Sequence, residues 1–161
     1  MTSKSPDGSL DSPADGDDRT EESLNEVVVR PVRYDDLEKI LLLLEPFVEQ
    51  DVLLPRSEGE LIDLLATSFV AEVRERIIGY VSLEIYSIKL AEIRSLAVAR
   101  EYQRHRIGQR LVGACVDLAR RKEIIEVMAI TSNEDFFRLC GFDFTLPGEK
   151  KALFIHTKES M

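Results

Sequence analysis

Four arginines crowd one short stretch of an acidic chain. Arg100, Arg104, Arg106 and Arg110 fall between Ala99 and Leu111, against a net charge of −9 for the whole sequence. Their spacing fits anion binding. The residues before them, Glu92 to Val98, form a short and largely apolar run with the strand formers Ile93, Leu96 and Val98. The polar, basic run Ala99 to His105 breaks that strand. Ile107, Leu111, Ala114, Cys115 and Leu118 then recur at helical spacing. A strand that turns directly into a helix N-terminus points several free backbone N–H groups, and the positive end of the helix dipole, at one place. A phosphate-bearing ligand suits such a place. A solvated basic turn would use the same residues, but the order strand, basic loop, Gly108, helix favours the anion site.

The rest of the chain has to position that stretch. Residues 1–25 are mostly Ser, Asp, Gly and Pro with almost no apolar side chains, too few to offset ordering entropy, and are expected to form a disordered acidic tail. Residues 26–161 are left as one domain. Val27 to Arg33 reads as the first strand, placed at an edge or a strand end by Pro31. Asp35 and Glu38 have the spacing of a capping box, and Leu37, Ile40, Leu41, Leu44 and Val48 give a helical face interrupted at Pro46. Ser57 and Glu60 form a second capping box, opening a short helix through Leu61, Leu64 and Leu65. Phe69 to Val73 and Ile77 to Ile85 read as a hairpin around Arg74-Glu75-Arg76, with Ala91 to Val98 as the next strand. A helix from about Ile107 to Lys122, a strand at Ile125 to Thr131 and a short helix ended by Gly141 follow. Phe142 to Phe144 and Ala152 to His156 are expected as two last strands. The order βααβββαβαββ is α/β, with a mixed, mostly antiparallel sheet and helices on both faces.

Composition narrows the function. At 161 residues the chain can bury a sizeable core, and no apolar run is long enough to span a membrane. The N-terminus lacks the shape of a signal peptide. The two cysteines, Cys115 and Cys140, sit in apolar helical context and read as core; neither a disulfide framework nor a nucleophile is expected, and a reducing cytoplasm fits. His105 and His156 are the two histidines, so no metal-ligand spacing exists and no metal is expected. Residues 1–26 carry eight acids and two bases, most of the negative charge. The nearly balanced remainder argues against nucleic acid as a partner. Neither a Gly-x-x-x-x-Gly-Lys-Ser/Thr nor a Gly-x-Gly-x-x-Gly motif is present.

Gln103-Arg104-His105-Arg106-Ile107-Gly108 resembles the pyrophosphate loop of the GNAT superfamily of acyl-CoA N-acetyltransferases, Gln/Arg-x-x-Gly-x-Gly/Ala. Gln103 and Gly108 match, while Arg106 stands where the first glycine is usual. The resemblance extends through the order of elements from Val27 to about Thr157, and it implies the GNAT fold. It also implies acetyl-CoA as co-substrate, held at Gln103, Arg104, His105, Arg106, Ile107, Gly108 and Gln109. The preceding strand, at Leu96, Ala97 and Val98, would present the thioester and a backbone N–H for the oxyanion.

Three strings look like one subfamily, the amino-acid N-acetyltransferases that make N-acetylglutamate for arginine synthesis. They are Leu53-Leu54-Pro55-Arg56-Ser57, Ala91 to Val98, and Thr131 with Phe136-Phe137-Arg138-Leu139-Cys140-Gly141-Phe142. Two-part enzymes of this class carry an amino-acid-kinase-like domain before the acetyltransferase; this sequence resembles the acetyltransferase part alone, and a short, stand-alone version is the expectation. Such a reaction needs a base to take a proton from the substrate ammonium. The resemblance points to Glu92, whose other reading is an ion pair with Arg94, its same-face neighbour two residues on. A dicarboxylate acceptor, L-glutamate first, needs cationic contacts, and Arg56 and Arg94 are the candidates, with Arg33 behind them. Phe137 stands where many GNAT enzymes have the tyrosine that protonates the leaving thiolate. Tyr80, Tyr86 or Tyr102 could substitute, or the thiolate could leave unassisted. A GNAT acting on another amine (a protein N-terminus, lysine or polyamine) is the second reading, and a non-catalytic acyl-CoA-binding module the third. A homodimer is compatible with all three.

Overall fold

A computed structural model describes residues 23–145 and 147–158. The expected tail, in residues 1–22, lies outside the described residues; Ser23 and Leu24 form a helical turn, with Ser23 buried and Leu24 packed on the core. Five strands follow: β1 (Val28–Pro31), β2 (Ser68–Val73), β3 (Arg76–Ser87), β4 (Leu90–Val98) and β5 (Glu126–Ala129). They lie in sequence order in one sheet, antiparallel except for the parallel pair β4–β5. The helices are α1 (Leu37–Glu49), α2 (Glu58–Asp63), α3 (Ile107–Arg121) and α4 (Glu134–Leu139). The described sheet is the mixed, mostly antiparallel one expected.

Two apolar layers sandwich the sheet. On one face, Leu37, Ile40 and Leu44 of α1 and Leu61 of α2 pack with Val70, Tyr80 and Ala97. On the other, Ile107, Leu111, Val112, Cys115 and Ala119 of α3 pack with Ala71, Val81, Leu83, Ala91 and Ile93. Fully burying a leucine or isoleucine of this kind contributes ~1.5–3 kcal/mol. The period-2 alternation of strands and the 3.6 period of helices put these side chains inside.

The caps and stops differ in places from expectation. Ser57 and Glu60 form the reciprocal capping box: Glu60 N–H donates to Ser57 Oγ at 3.2 Å, and Ser57 N–H to Glu60 Oε2 at 2.7 Å. At α1 the capping carboxylate is Asp36, not the Asp35–Glu38 pair. Asp36 accepts the Arg33 N–H at 2.7 Å and is gripped by Arg30 at 2.7 and 2.9 Å, because a one-turn 3-10 helix at Tyr34–Asp36 rotates Asp36 inward. Pro46 does not interrupt α1. It removes one N–H, whose partner would be the Leu42 carbonyl on the exposed side, and the helix runs on to Glu49. Gly141, at φ 92, ends α4 as expected, with the Phe142 N–H donating to Phe137 O at 3.0 Å.

The last two expected strands are absent among the described residues. Phe142 to Phe144 and Ala152 to His156 carry no strand pairing, and Phe144, Leu153, Phe154 and Ile155 are 62–91% exposed. Strand propensity expresses packing against a neighbour. Here no strand lies beside these residues, and β5 keeps β4 as its neighbour in the sheet.

Candidate active site

The site begins with a bulge. The β3–β4 register pairs Tyr80 with Ala97 but Ser82 with Arg94, so Ser95 and Leu96 together oppose Val81. Ser95 takes a left-handed backbone, φ 56, as the bulged residue. Such an insertion interrupts the ladder and bends its strand. On the other side, β4 and β5 stay paired only from Leu90–Glu126 to Ile93–Ala129. Beyond that point β4 continues to Val98 while the chain after Ala129 turns away, and the two part. A cleft of about 670 Å³ opens between them. Its walls are Ser95 to Val98 of β4, the loop and first residues of α3, and Ile130 to Asn133 with Phe136 and Phe137.

All the residues proposed from sequence for the co-substrate, except His105, line this cleft: Leu96, Ala97, Val98, Gln103, Arg104, Arg106, Ile107, Gly108 and Gln109. His105 is exposed. The Gln103 side chain donates to the Val98 carbonyl at 2.9 Å, tying the loop to the end of β4. The loop needs two left-handed residues, Arg104 at φ 65 and Arg106 at φ 62, and Arg106 is the N-cap of α3. No side chain caps the helix there, so its first N–H groups remain available at the cleft. Gly108 is needed for closeness: a Cβ there would stand 3.2 Å from Cε2 and Cζ of the Phe136 ring. Free helix-start N–H groups beside arginines are suited to an anionic, phosphate-bearing ligand.

The four arginines do not act as one cluster. Arg104 and Arg106 face the cleft, whereas Arg110 donates to the Val27 carbonyl at 2.9 Å. Arg100 lines a neighbouring hollow of about 590 Å³ beside α1.

A polar group lies on β3 and β4, on the face opposite Ala91 and Ile93 and hence on the α1–α2 side. Glu84 stands directly across from Glu92 in the register. Glu92 is buried, 8% exposed. It makes no hydrogen bond or ion pair with Arg94 among the described residues. The Tyr86 hydroxyl donates to Glu92 Oε2 at 2.5 Å, while Arg94 Nη1 binds Glu84 Oε2 at 2.7 Å. The Glu92 carboxylate beside it pushes the Tyr86 hydroxyl above its ordinary pKa, so Tyr86 stays a donor. Arg56 reaches the bulge from the loop before α2: its Nε donates to Ser95 Oγ at 3.1 Å, and Nη1 lies 3.6 Å from Glu60. Arg94 is the residue before Ser95 on β4, so the two candidate cations meet one stretch of that strand. Arg33 is exposed at the start of the one-turn 3-10 helix, with its backbone N–H on Asp36.

The candidate tyrosines separate. Tyr80 is buried with its hydroxyl 3.3 Å from Ser68 Oγ. Tyr102 lines the cleft, and Tyr86 belongs to Glu92. Phe137 packs edge-on against Phe136 and Phe142 at 5.1 and 5.4 Å. Burial pushes the Cys115 thiol up to about 12, which suits a core residue. Among the described residues no group of His, Cys, Asp or Glu could hold a metal ion, and no helix is long and apolar enough to cross a membrane. Ser95, Glu84 and the pairing of Tyr86 with Glu92 were not foreseen. A regular hairpin around Ile88-Lys89 would pair Tyr86 with Ala91, on the other face; the register shift between Ile85 and Ser87 turns Tyr86 to the Glu92 side.

Comparison with known proteins gives the family and the fold. The profile described as the acetyltransferase (GNAT) family matches residues 34–142. An uncharacterised N-acetyltransferase of Chlorobaculum tepidum is 33% identical over 114 residues, covering 71% of this chain and 74% of that protein. The structure of Rv2747 from Mycobacterium tuberculosis in complex with CoA superposes with a TM-score of 0.69 at 26% identity, over 78% of this chain and 76% of that one. N-acetylglutamate synthase from Neisseria gonorrhoeae, complexed with coenzyme A and N-acetyl-glutamate, gives a TM-score of 0.65 at 28% identity. That match covers 70% of this chain but only 27% of the synthase.

Proposed function

This chain belongs to the acetyltransferase (GNAT) family, and we propose that within it the chain acetylates the amino group of an amino acid, L-glutamate or a close relative. It is an N-acetyltransferase with acetyl-CoA as co-substrate. The observation that carries the acceptor reading is Arg56, drawn from the loop before α2 onto the β4 bulge beside the cleft. A carboxylate of the acceptor would meet Arg56, with Arg94 as the second cation. Arg104, Arg106 and the α3 N-terminus would hold the pyrophosphate. Past Ile93, where β4 has parted from β5, the backbone of Leu96 to Val98 would supply the N–H for the oxyanion. Glu92, on the same face as Arg94, takes the proton from the substrate ammonium as general base. Tyr102 is the tyrosine placed in the cleft to meet the leaving thiolate. The likeness to an N-acetylglutamate synthase supports a place in arginine synthesis. The free cysteines Cys115 and Cys140 agree with a reducing cytoplasm.

A second reading has its own observation. Arg94 is already bound to Glu84 and Arg56 lies near Glu60, so carboxylates of the chain face the same space. A cationic acceptor, lysine or a polyamine, would use those carboxylates. An acceptor screen over all amino acids, polyamines and short peptides, reading free thiol released from acetyl-CoA, separates the two. Glutamate should outpace lysine and polyamines; lysine or polyamine acetylation with glutamate inert would overturn the amino-acid reading. Glutamine is the informative competitor, because it keeps the α-carboxylate and shape but loses the side-chain charge.

A further inference from the structure

We propose that Tyr86 returns Glu92 to its charged form in each cycle, passing the proton taken from the acceptor out to solvent. The inference rests on Glu92 being the base. Its motive is a mismatch in burial. Glu92 is 8% exposed, yet the overall reaction releases a proton. An ammonium carries one more proton than the amine that attacks. As the C–N bond forms and the C–S bond breaks, a second N–H proton ends on the sulfur. The first stays on Glu92 and has to leave before the next turnover.

Tyr86 bridges that gap. Its hydroxyl is the hydrogen-bond partner of the Glu92 carboxylate among the described residues, 2.5 Å from Oε2, on a residue 49% exposed near the end of β3. The other charged groups near Glu92 are engaged: Arg94 with Glu84, and Arg56 with Ser95 and Glu60. Met128, its register partner on β5, is apolar. In the transfer, the proton on Glu92 Oε2 passes to the Tyr86 hydroxyl oxygen as the hydroxyl proton passes to water. The carboxylate and the phenol are both restored, and no charge is left on the ring. Tyr86 does not line the cleft and bonds Glu92, so it is a positioning and relay residue that acts through Glu92.

Tyr86→Phe keeps the ring and removes the relay. With acetyl-CoA and L-glutamate, or the best acceptor of the screen, kcat should fall at least ten-fold while the KM for acetyl-CoA holds. At fixed pH and ionic strength, the lost rate should return as imidazole or MES concentration rises, whereas the wild-type rate should ignore it. A wild-type kcat in Tyr86→Phe, or a loss that buffer does not restore, overturns the relay. Glu92→Gln should lower kcat about 10²–10⁴-fold with acetyl-CoA binding retained. Wild-type turnover in that variant would sink the base assignment and the relay together. An impaired Glu92→Gln beside an unimpaired Tyr86→Phe would sink the relay alone.

Discussion

Arg56 is fastened to Ser95. Its Nε donates to the Ser95 hydroxyl at 3.1 Å, from a side chain only 10% exposed. The loop before α2 is thereby tied to the bulge of β4, the place where the sheet parts to form the cleft.

Removing that guanidinium should act on the acceptor side alone. Arg56→Ala should raise the KM for glutamate at least ten-fold, in line with ~1.5–3 kcal/mol for a hydrogen bond to a charged group. The KM for acetyl-CoA should change little. Lysine at 56 should not restore the wild-type value, since it lacks the planar fork. Steady-state kinetics with each substrate varied in turn provides the check, and an unchanged glutamate KM would leave Arg56 with only its anchoring role.

Arg106 carries a conflict between backbone and ligand. Its left-handed conformation, φ 62, disfavours an L side chain by ~1–2 kcal/mol. Arg106→Gly should therefore leave stability within about 1 kcal/mol of wild type, or raise it. The same change should weaken acetyl-CoA binding by the loss of a charged contact. Calorimetric titration beside thermal melting reads both quantities. Wild-type affinity in the glycine variant would mean that the loop amides hold the phosphates without this side chain.

Acid should loosen the anchor beneath α1. The Arg30 guanidinium beside it and the Arg33 N–H hold the Asp36 carboxyl below its usual range. A depressed folded-state pKa contributes stability above the unfolded value, about 3.9, and loses it as the pH falls through the folded value. Asp36→Asn should cost about 1–3 kcal/mol at neutral pH, since it removes one of the two carboxylates from the part-buried Arg30, which keeps Glu72. Below about pH 4 the gap between variant and wild type should narrow. Urea midpoints at pH 7 and pH 3 measure both effects.

The thiols should report folding rather than chemistry. Burial raises both Cys115 and Cys140, Cys115 up to about 12. In the native protein at pH 8, a thiol reagent should label Cys140 slowly and Cys115 only on unfolding. Acetyl transfer should survive Cys115→Ala apart from its loss of packing. Rapid labelling of Cys115 in the folded enzyme would contradict its place under α3.

The acceptor-side geometry is where sequence spacing misleads. Residues two apart on a strand share a face, so Glu92 and Arg94 look like partners. They do share that face, yet each bonds across to β3, Glu92 to Tyr86 and Arg94 to Glu84. Cross-strand neighbours lie as close as same-strand ones and win when their side chains are better aimed. The register shift at Tyr86 sets the aim of the Glu92 pair, and no turn residue or hydrophobic pattern announces it.

From its residues alone, the chain determined what depends on near neighbours. The strand, basic loop and helix around Gly108, the Ser57–Glu60 box and the Gly141 stop follow from propensity, capping and periodicity, which act within a few residues. The residues of the loop-side wall of the cleft were legible for the same reason, because one continuous stretch builds most of that wall. Register, the parting of β4 from β5 and the reach of Arg56 to Ser95 join segments far apart in the chain. Only the folded sheet decides them. The segments 142–144 and 152–156 show the same division: strand-forming composition is local, but pairing needs an edge in the right place, and the tertiary structure supplies none beside them.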